Sequence, residues 1–285
     1  MAISNKARVL REQGKPVIGF GAGEPDFPTP EYVIKDVQIA AEDPANHKYS
    51  AVAGLNVLKD EIVRTSKLYS GIEVGQENIV VSNGGKHAIL TTFMSLLNPG
   101  DEVLIPSPYW TTYPEAVKIS GGNPVIVDTE FDDDFKINTD QLEALKTNKT
   151  KILVWVSPSN PTGVVYTKEE AEKIYNWAFD NDIWILSDEL YEHLVYEGVT
   201  SPSPAQYDKK LKNTIVINGV AKAYSMTGWR VGWIIANTEV IDMAKKIQSH
   251  ATSNVSNLSQ IAAYSALKNG LNETKIMKEL SLIHI

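Results

Sequence analysis

The stretch "NTIVINGVAKAYSMTGWRVGWIIA", residues 213–236, holds two short apolar runs joined by a polar segment. "TIVING" and "VGWIIA" have the length, the β-branched content and the bounding Gly and Asn residues of buried strands. Lys222 follows directly on the first run, and Arg230 leads into the second. An ammonium group at the mouth of a buried strand is either a solvated loop residue or a group kept for chemistry.

The same pattern extends toward the N-terminus. "NIVVSN", "DEVLIP", "NPVIVD", "KILVWVS" and "DIWILSD" are further apolar runs bounded by Gly, Pro, Asn or Asp, which makes seven buried strands. Between most of them lie stretches with helical spacing: "KHAILTTFMSLL", "YWTTYPEAVKIS", "NTDQLEALKT" and "KEEAEKIYNWAFDN". Alternating strand and helix predict an α/β fold of three layers, a mainly parallel seven-stranded sheet covered on both faces. The last two strands are joined by about a dozen residues with no clear helix, so the final strand is free to run antiparallel. Two more helical stretches follow, "TEVIDMAKKIQSH" and "LSQIAAYSALKNG". There is no internal repeat and no low-complexity linker.

The 285 residues suffice for one large or two ordinary domains, and 43% hydrophobic with 22% charged residues is the composition of a soluble globular protein. A formal net charge of −8 argues against a nucleic-acid-binding surface while allowing a local basic pocket. The absence of cysteine excludes disulfides, thiolate metal sites and cysteine nucleophiles, and no metal site is expected. No apolar stretch reaches membrane-spanning length, and the charged start "MAISNKARVLREQG" has no signal-peptide core, so a cytoplasmic protein without a membrane partner is the expectation. The N-x-S/T matches at Asn148, Asn254, Asn257 and Asn272 are then coincidences.

In sheets of this type ligands bind beyond the carboxyl ends of the strands. "NIVVSN" is followed by Gly84-Gly85-Lys86 and a helix, "KILVWVS" by a loop with Asn160, and "DIWILSD" ends on Asp188 with Tyr191 three residues on. Glycines at a helix N-terminus either seat a phosphate or simply make a tight turn. Arg230 either clamps that phosphate or forms a surface ion pair. Asp188 either caps the following "ELYEHL" turn or pairs with a cationic heterocyclic nitrogen. A partly desolvated Lys222 has a lowered pKa and can form a Schiff base. Jointly, the amine, the carboxylate and the phosphate seat match what pyridoxal 5'-phosphate requires.

"GAGEPDFPTP", "NGGKHA", "SPYW", "SPSNPTG", "SDELYEHL" and "NGVAKAYSMTGWRVGW" resemble, in order and with family-like gaps, the class I aminotransferases of fold type I, nearest to bacterial aspartate aminotransferases. The resemblance runs from about Lys6 to about Leu280. It implies that Lys222 is the Schiff-base lysine and proton carrier, and that Asp188 keeps the pyridine nitrogen protonated. Tyr191 and Asn160 are implied to bond the cofactor's 3-oxygen, Asn160 also reaching the substrate carboxylate. Trp110 is implied to stack on the ring and face the substrate. Gly84, Gly85, Lys86 and Arg230 match the phosphate site, Tyr49 resembles a tyrosine serving the neighbouring subunit's phosphate, and Gly23 matches a backbone contact to substrate. The implied partners are an amino acid, a 2-oxo acid and a second subunit sharing the active sites.

Two departures stand out. Ala221 occupies a position where many members have a phosphate-binding serine, and "KIQSHATSNVSNLSQ" lacks the arginine that binds a distal carboxylate in one branch. The resemblance implies ping-pong transfer, through aldimines, of an amino group from an L-amino acid (aspartate or glutamate) to a 2-oxo acid. Aromatic or prephenate-type transfer and a fold-type I lyase are the alternatives. A regulatory domain and a nucleotide-binding module fit less well, since there is no basic helix-turn-helix segment and no Walker pattern.

The expected organisation is residues 1–30 as the N-terminal segment of a small domain and 31–279 as the large cofactor-binding domain. The rest of the small domain, with an arginine for the substrate α-carboxylate, is expected to be missing. "LSLIHI", Leu280–Ile285, is expected to be foreign, because it back-translates to a sequencing-adapter end. A fragment of that kind is expected to expose apolar surface and turn over poorly.

Overall fold

The computed structural model of the protein describes residues 2–18, 23–196 and 198–283, and for 2–4 and 281–283 the backbone alone. The side chains of the expected foreign tail beyond Leu280 therefore lie outside the described residues.

All seven apolar runs form strands: β1 (Ile79–Ser82), β2 (Glu102–Pro106), β3 (Asn123–Val127), β4 (Thr150–Val156), β5 (Trp184–Asp188), β6 (Thr214–Gly219) and β7 (Gly232–Ile235). The helices are α1 (Ala2–Glu12), α2 (Glu31–Ala40), α3 (Asn56–Thr65), α4 (Gly85–Leu96) and α5 (Thr112–Ile119). They continue with α6 (Thr139–Leu145), α7 (Lys168–Asp180), α8 (Thr238–Ala251), α9 (Asn257–Asn269) and α10 (Asn272–Ile283). Their ends follow local chemistry: Thr167 caps α7 by accepting from the Glu170 amide, while the Glu170 carboxylate accepts from the Thr167 amide. Helices α2 and α3 were not legible as periodic stretches, and they cover β1 and β7 together with α9.

One sheet has the order β1-β7-β6-β5-β4-β2-β3. Five strands run parallel from β6 to β3, and β7 is antiparallel to both β6 and β1. The antiparallel final strand has a functional consequence. Its amino end lies at the same edge as the carboxyl ends of the parallel strands, so Arg230 is delivered to that edge beside Gly84. In register, Gly232 lies between Ser82 and Gly219.

Strand alternation divides the core in two. Val80, Ile105, Val154, Leu186, Ile217 and Ile234 face α4, α5 and α8. On the other face, Val81, Val216 and Trp233 meet α2, α3 and α9, while Leu104, Leu153 and Ile185 meet α6 and α7. Each fully buried Ile, Leu or Val stabilises the fold by about 1.5–3 kcal/mol. The same alternation sends Asp188, two residues after Leu186, to the α5 face.

Candidate active site

Four glycine contacts shape the edge. A Cβ on Gly84, whose φ is +82°, would lie 2.6 Å from the Arg230 guanidinium, and one on Gly85 would lie 2.9 Å from Leu190. A Cβ on Gly232 would lie 2.7 Å from the Gly85 nitrogen, and one on Gly219 would meet the Val231 carbonyl at 2.8 Å. Gly219 and Gly232 are therefore required by close backbone packing of β6 and β7 against each other and against the turn after β1, while Gly84 and Gly85 meet side-chain ends that can shift. With Gly84 as the cap of α4 and no side chain capping it, the amides of Gly85 and Lys86 are left as donors for an anion.

Arg230 sits beside these amides in the left-handed region, φ 57°. Its guanidinium donates to the Thr227 carbonyl at 2.9 Å and to the Asn83 carbonyl at 3.4 Å. Among the described residues it takes part in no ion pair, so the surface ion-pair alternative gives way to a charge held at the helix start. The ammonium of Lys86 is elsewhere, 5.0 Å from the Trp110 ring centroid. Its backbone serves the helix start while its side chain covers the indole.

Lys222 lies in the turn beyond β6. Its Nζ donates to the Gly23 carbonyl and stands 5.5 Å from the Tyr191 ring centroid. Burial pushes the ammonium below its usual pKa; Glu24 and Asp188 oppose this, and Arg230 adds to it. Gly23 belongs to a strap docked on the 225–229 loop, where Thr29 donates to the Ser225 carbonyl and accepts from Trp229 Nε1. Thr227 holds the Glu24 carboxylate at 3.2 Å.

Asp188 is 5% exposed. Its Oδ2 accepts from the Tyr113 hydroxyl at 2.6 Å and its Oδ1 from the Leu190 amide at 3.3 Å. The capping role anticipated for it is thus real and coexists with a bond across the fold. Burial pushes the carboxyl above its ordinary pKa, while Tyr113, Leu190 and the Lys222 charge hold it down. Asn160 and Tyr191 line one groove, along with Pro158 and Leu194. Ala221 is buried and offers no hydroxyl. Tyr49 differs from all of these: it is 91% exposed and turned to solvent.

Tyr113 was not anticipated. Its one signal in the sequence is its place three residues after Trp110, which sets the two side chains on one side of a helical turn. Their rings meet edge to face, with centroids 5.6 Å apart.

An amine of lowered basicity, a buried carboxylate, a groove-lining amide and a helix N-terminus beside an arginine thus meet at one sheet edge. Such a set combines an amine, a carboxylate and an anion seat in one site. The family model for aminotransferases of class I and II matches residues 15–283. An aspartate aminotransferase from Streptomyces avermitilis is 48% identical over 280 residues, 98% of this chain and 69% of its own length. An aspartate/prephenate aminotransferase from Cereibacter sphaeroides is 42% identical, with 94% of this chain and 67% of its own length covered. The solved aspartate aminotransferase of Thermus thermophilus with maleate superposes with a TM-score of 0.92 at 38% identity, covering 98% of this chain and 72% of that one.

The chain belongs to the class I and II aminotransferases. Its reaction is the transfer of an amino group between an amino acid and a 2-oxo acid.

Proposed function

We propose that the transfer uses pyridoxal 5'-phosphate held by ten of the residues singled out above, with Gly23 contacting the substrate, and that aspartate or glutamate with 2-oxoglutarate are the substrates. The observation carrying this is the convergence of Lys222, Asp188, Tyr191 and the Gly84–Arg230 seat at one edge. The residues fit the group: a methyl at Gly84 would collide with the arginine, and the donor set supplies free amides for a phosphate and a carboxylate for a ring nitrogen.

When bound, the cofactor supplies an aldehyde to accept the amino group and an electron-withdrawing ring to weaken the Cα–H bond. Lys222 would join that aldehyde and, once released, move the proton at Cα; its lowered basicity favours the neutral amine needed for both. Asp188 would hold the ring nitrogen's proton. Asn160 and Tyr191 would donate to the ring oxygen, and Asn160 with the Gly23 backbone would orient the substrate carboxylate. Trp110 would cover the ring face. Arg230 and the Gly85 and Lys86 amides would bind the phosphate.

Aspartate as substrate is supported by the names of the relatives. Prephenate-type acceptors are the second reading, favoured by the absence of arginine from residues 246–260 and by the Cereibacter relative. The exposure of Tyr49 supports a homodimer in which it serves the neighbouring subunit's phosphate. No described helix is long and apolar enough to cross a membrane, and the proposed location is the cytoplasm.

Addition of pyridoxal 5'-phosphate to the protein and to its Lys222→Ala variant tests the site. A visible absorption band that borohydride fixes onto Lys222 is expected, and label on Lys86 instead would refute the assignment. Product analysis with aspartate and 2-oxoglutarate, then with prephenate, ranks the substrates and separates transfer from lyase chemistry. Subunit exchange between Tyr49→Phe and Lys222→Ala variants is expected to restore activity.

A further inference from the structure

Tyr113 lies in the first turn of α5 and is 1% exposed among the apolar side chains of that face. A phenol buried so completely costs free energy unless its hydroxyl is bonded. The Asp188 carboxylate takes that bond at 2.6 Å, while the Tyr113 ring and the Trp110 indole stand at 90° to each other, 5.6 Å apart. One side chain thus touches both the carboxylate proposed for the ring nitrogen and the indole proposed for the ring face. Through the first contact Tyr113 would act on the ring nitrogen's partner, and through the second on the indole that would cover the ring.

The groups around Asp188 define what the hydroxyl adds. Lys222 lowers its proton affinity from the β6 turn; Tyr191 feels its charge from the segment after β5, as does Glu189 beside it in the chain. Among the described residues only the Tyr113 hydroxyl and the Leu190 amide donate to the carboxylate, and the Tyr113 bond is the shorter by far. Burial and the Asp188 charge also keep Tyr113 protonated well past the ordinary phenol range, so it is a donor at every working pH.

We propose that Tyr113 is a positioning residue that fixes the bound pyridine ring in two directions, its hydroxyl orienting the Asp188 carboxylate and its ring bracing Trp110. This rests on Asp188 serving the ring nitrogen, as proposed above. A tyrosine kept only for core packing would leave the titration of the site unchanged, because its hydroxyl would have no part in holding the carboxylate ionised.

The test is the affinity of the protein for pyridoxal 5'-phosphate across pH, read by absorption and by equilibrium dialysis. Tyr113→Phe is expected to weaken binding about tenfold and to raise the acid limb of binding by about one pH unit, since the carboxylate then protonates more easily. Tyr166→Phe, which changes another buried tyrosine, is expected to alter neither. Incorporating 3-fluorotyrosine at position 113 makes a stronger donor in a near-native fold and is expected to move the acid limb down. An unmoved acid limb in both Tyr113 replacements, with Asp188→Asn binding weakly, overturns the role of Tyr113 alone. Asp188→Asn binding the cofactor as tightly as the unmodified protein overturns the assignment of Asp188 and this proposal with it.

Discussion

Asp188 and Glu189 are consecutive acids at the end of β5, both buried, and the sheet separates them. Asp188 faces α5, where a phenol, an amide and the Lys222 charge favour its ionised form against burial. Glu189 faces the other side, where its Oε1 accepts from Ser187 at 2.7 Å and Ser203 at 2.5 Å. There burial and the neighbouring Glu192 push it up to about 8. Glu192 in turn accepts from Asn218 and Ser70, and lies 3.4 Å from His193, whose pKa burial lowers. Burial raises both carboxyls, 5% and 3% exposed, above their ordinary range, and what each touches decides what opposes or adds to that push. Both acids have hydrogen-bond donors, but the front acid also has a cation near it, whereas the rear acid lies beside the like charge of Glu192.

The contrast is sharpest if the front face is disabled and the rear is left intact. Lys222→Ala is expected to reduce turnover by at least ~10⁴-fold, since it removes the amine proposed to join the cofactor and carry the proton. Stopped-flow and steady-state assays check this, and a residual rate within tenfold of the parent would place the chemistry elsewhere. Asp188→Asn keeps the shape and removes the charge, so a loss of roughly 10²–10³-fold in kcat is expected. Glu189→Gln under the same assay is expected to stay within about threefold, because its side chain points away from the edge; an equal loss for both would erase the distinction.

Packing at the edge gives a smaller effect. Gly232→Ala places a methyl against the Gly84–Gly85 backbone and is expected to cost about 1–3 kcal/mol of stability, measured by urea unfolding. Cofactor affinity should fall with it, because the same backbone forms the anion seat. An alanine tolerated without change in either quantity would show that the two strands do not pack so tightly.

A separate effect is the pH dependence of Glu189. Its pKa is raised on folding from 4.5 to about 8, so the folded state binds the proton more tightly than the unfolded chain. The stability this represents is fully present below about 4.5 and is lost as pH rises toward 8. Glu189→Gln carries no such loss. Its stability relative to the parent should therefore climb with pH across that window, at a slope of up to ~1.4 kcal/mol per pH unit. A stability difference that is flat between pH 5 and pH 8 would mean that Glu189 titrates like a solvated acid.

The layers, and which groups reach the sheet edge, can be read from the sequence alone. Apolar runs with β-branched residues have only one way to be buried at that length, and groups directly after a parallel strand end at one edge whatever the helices do. Lys222, Asp188, Asn160 and the Gly84-Gly85-Lys86 turn were legible for that reason, and the short link before β7 allowed its antiparallel direction. Only the tertiary structure decided what those groups touch. Tyr113 reaches Asp188 across 75 positions of chain, and Gly23 reaches Lys222 across 199. Contacts at that separation leave no local periodicity in the sequence. The contrast in surroundings between Asp188 and Glu189 was likewise invisible, because two adjacent acids read alike until strand alternation sends them to opposite faces and different neighbours.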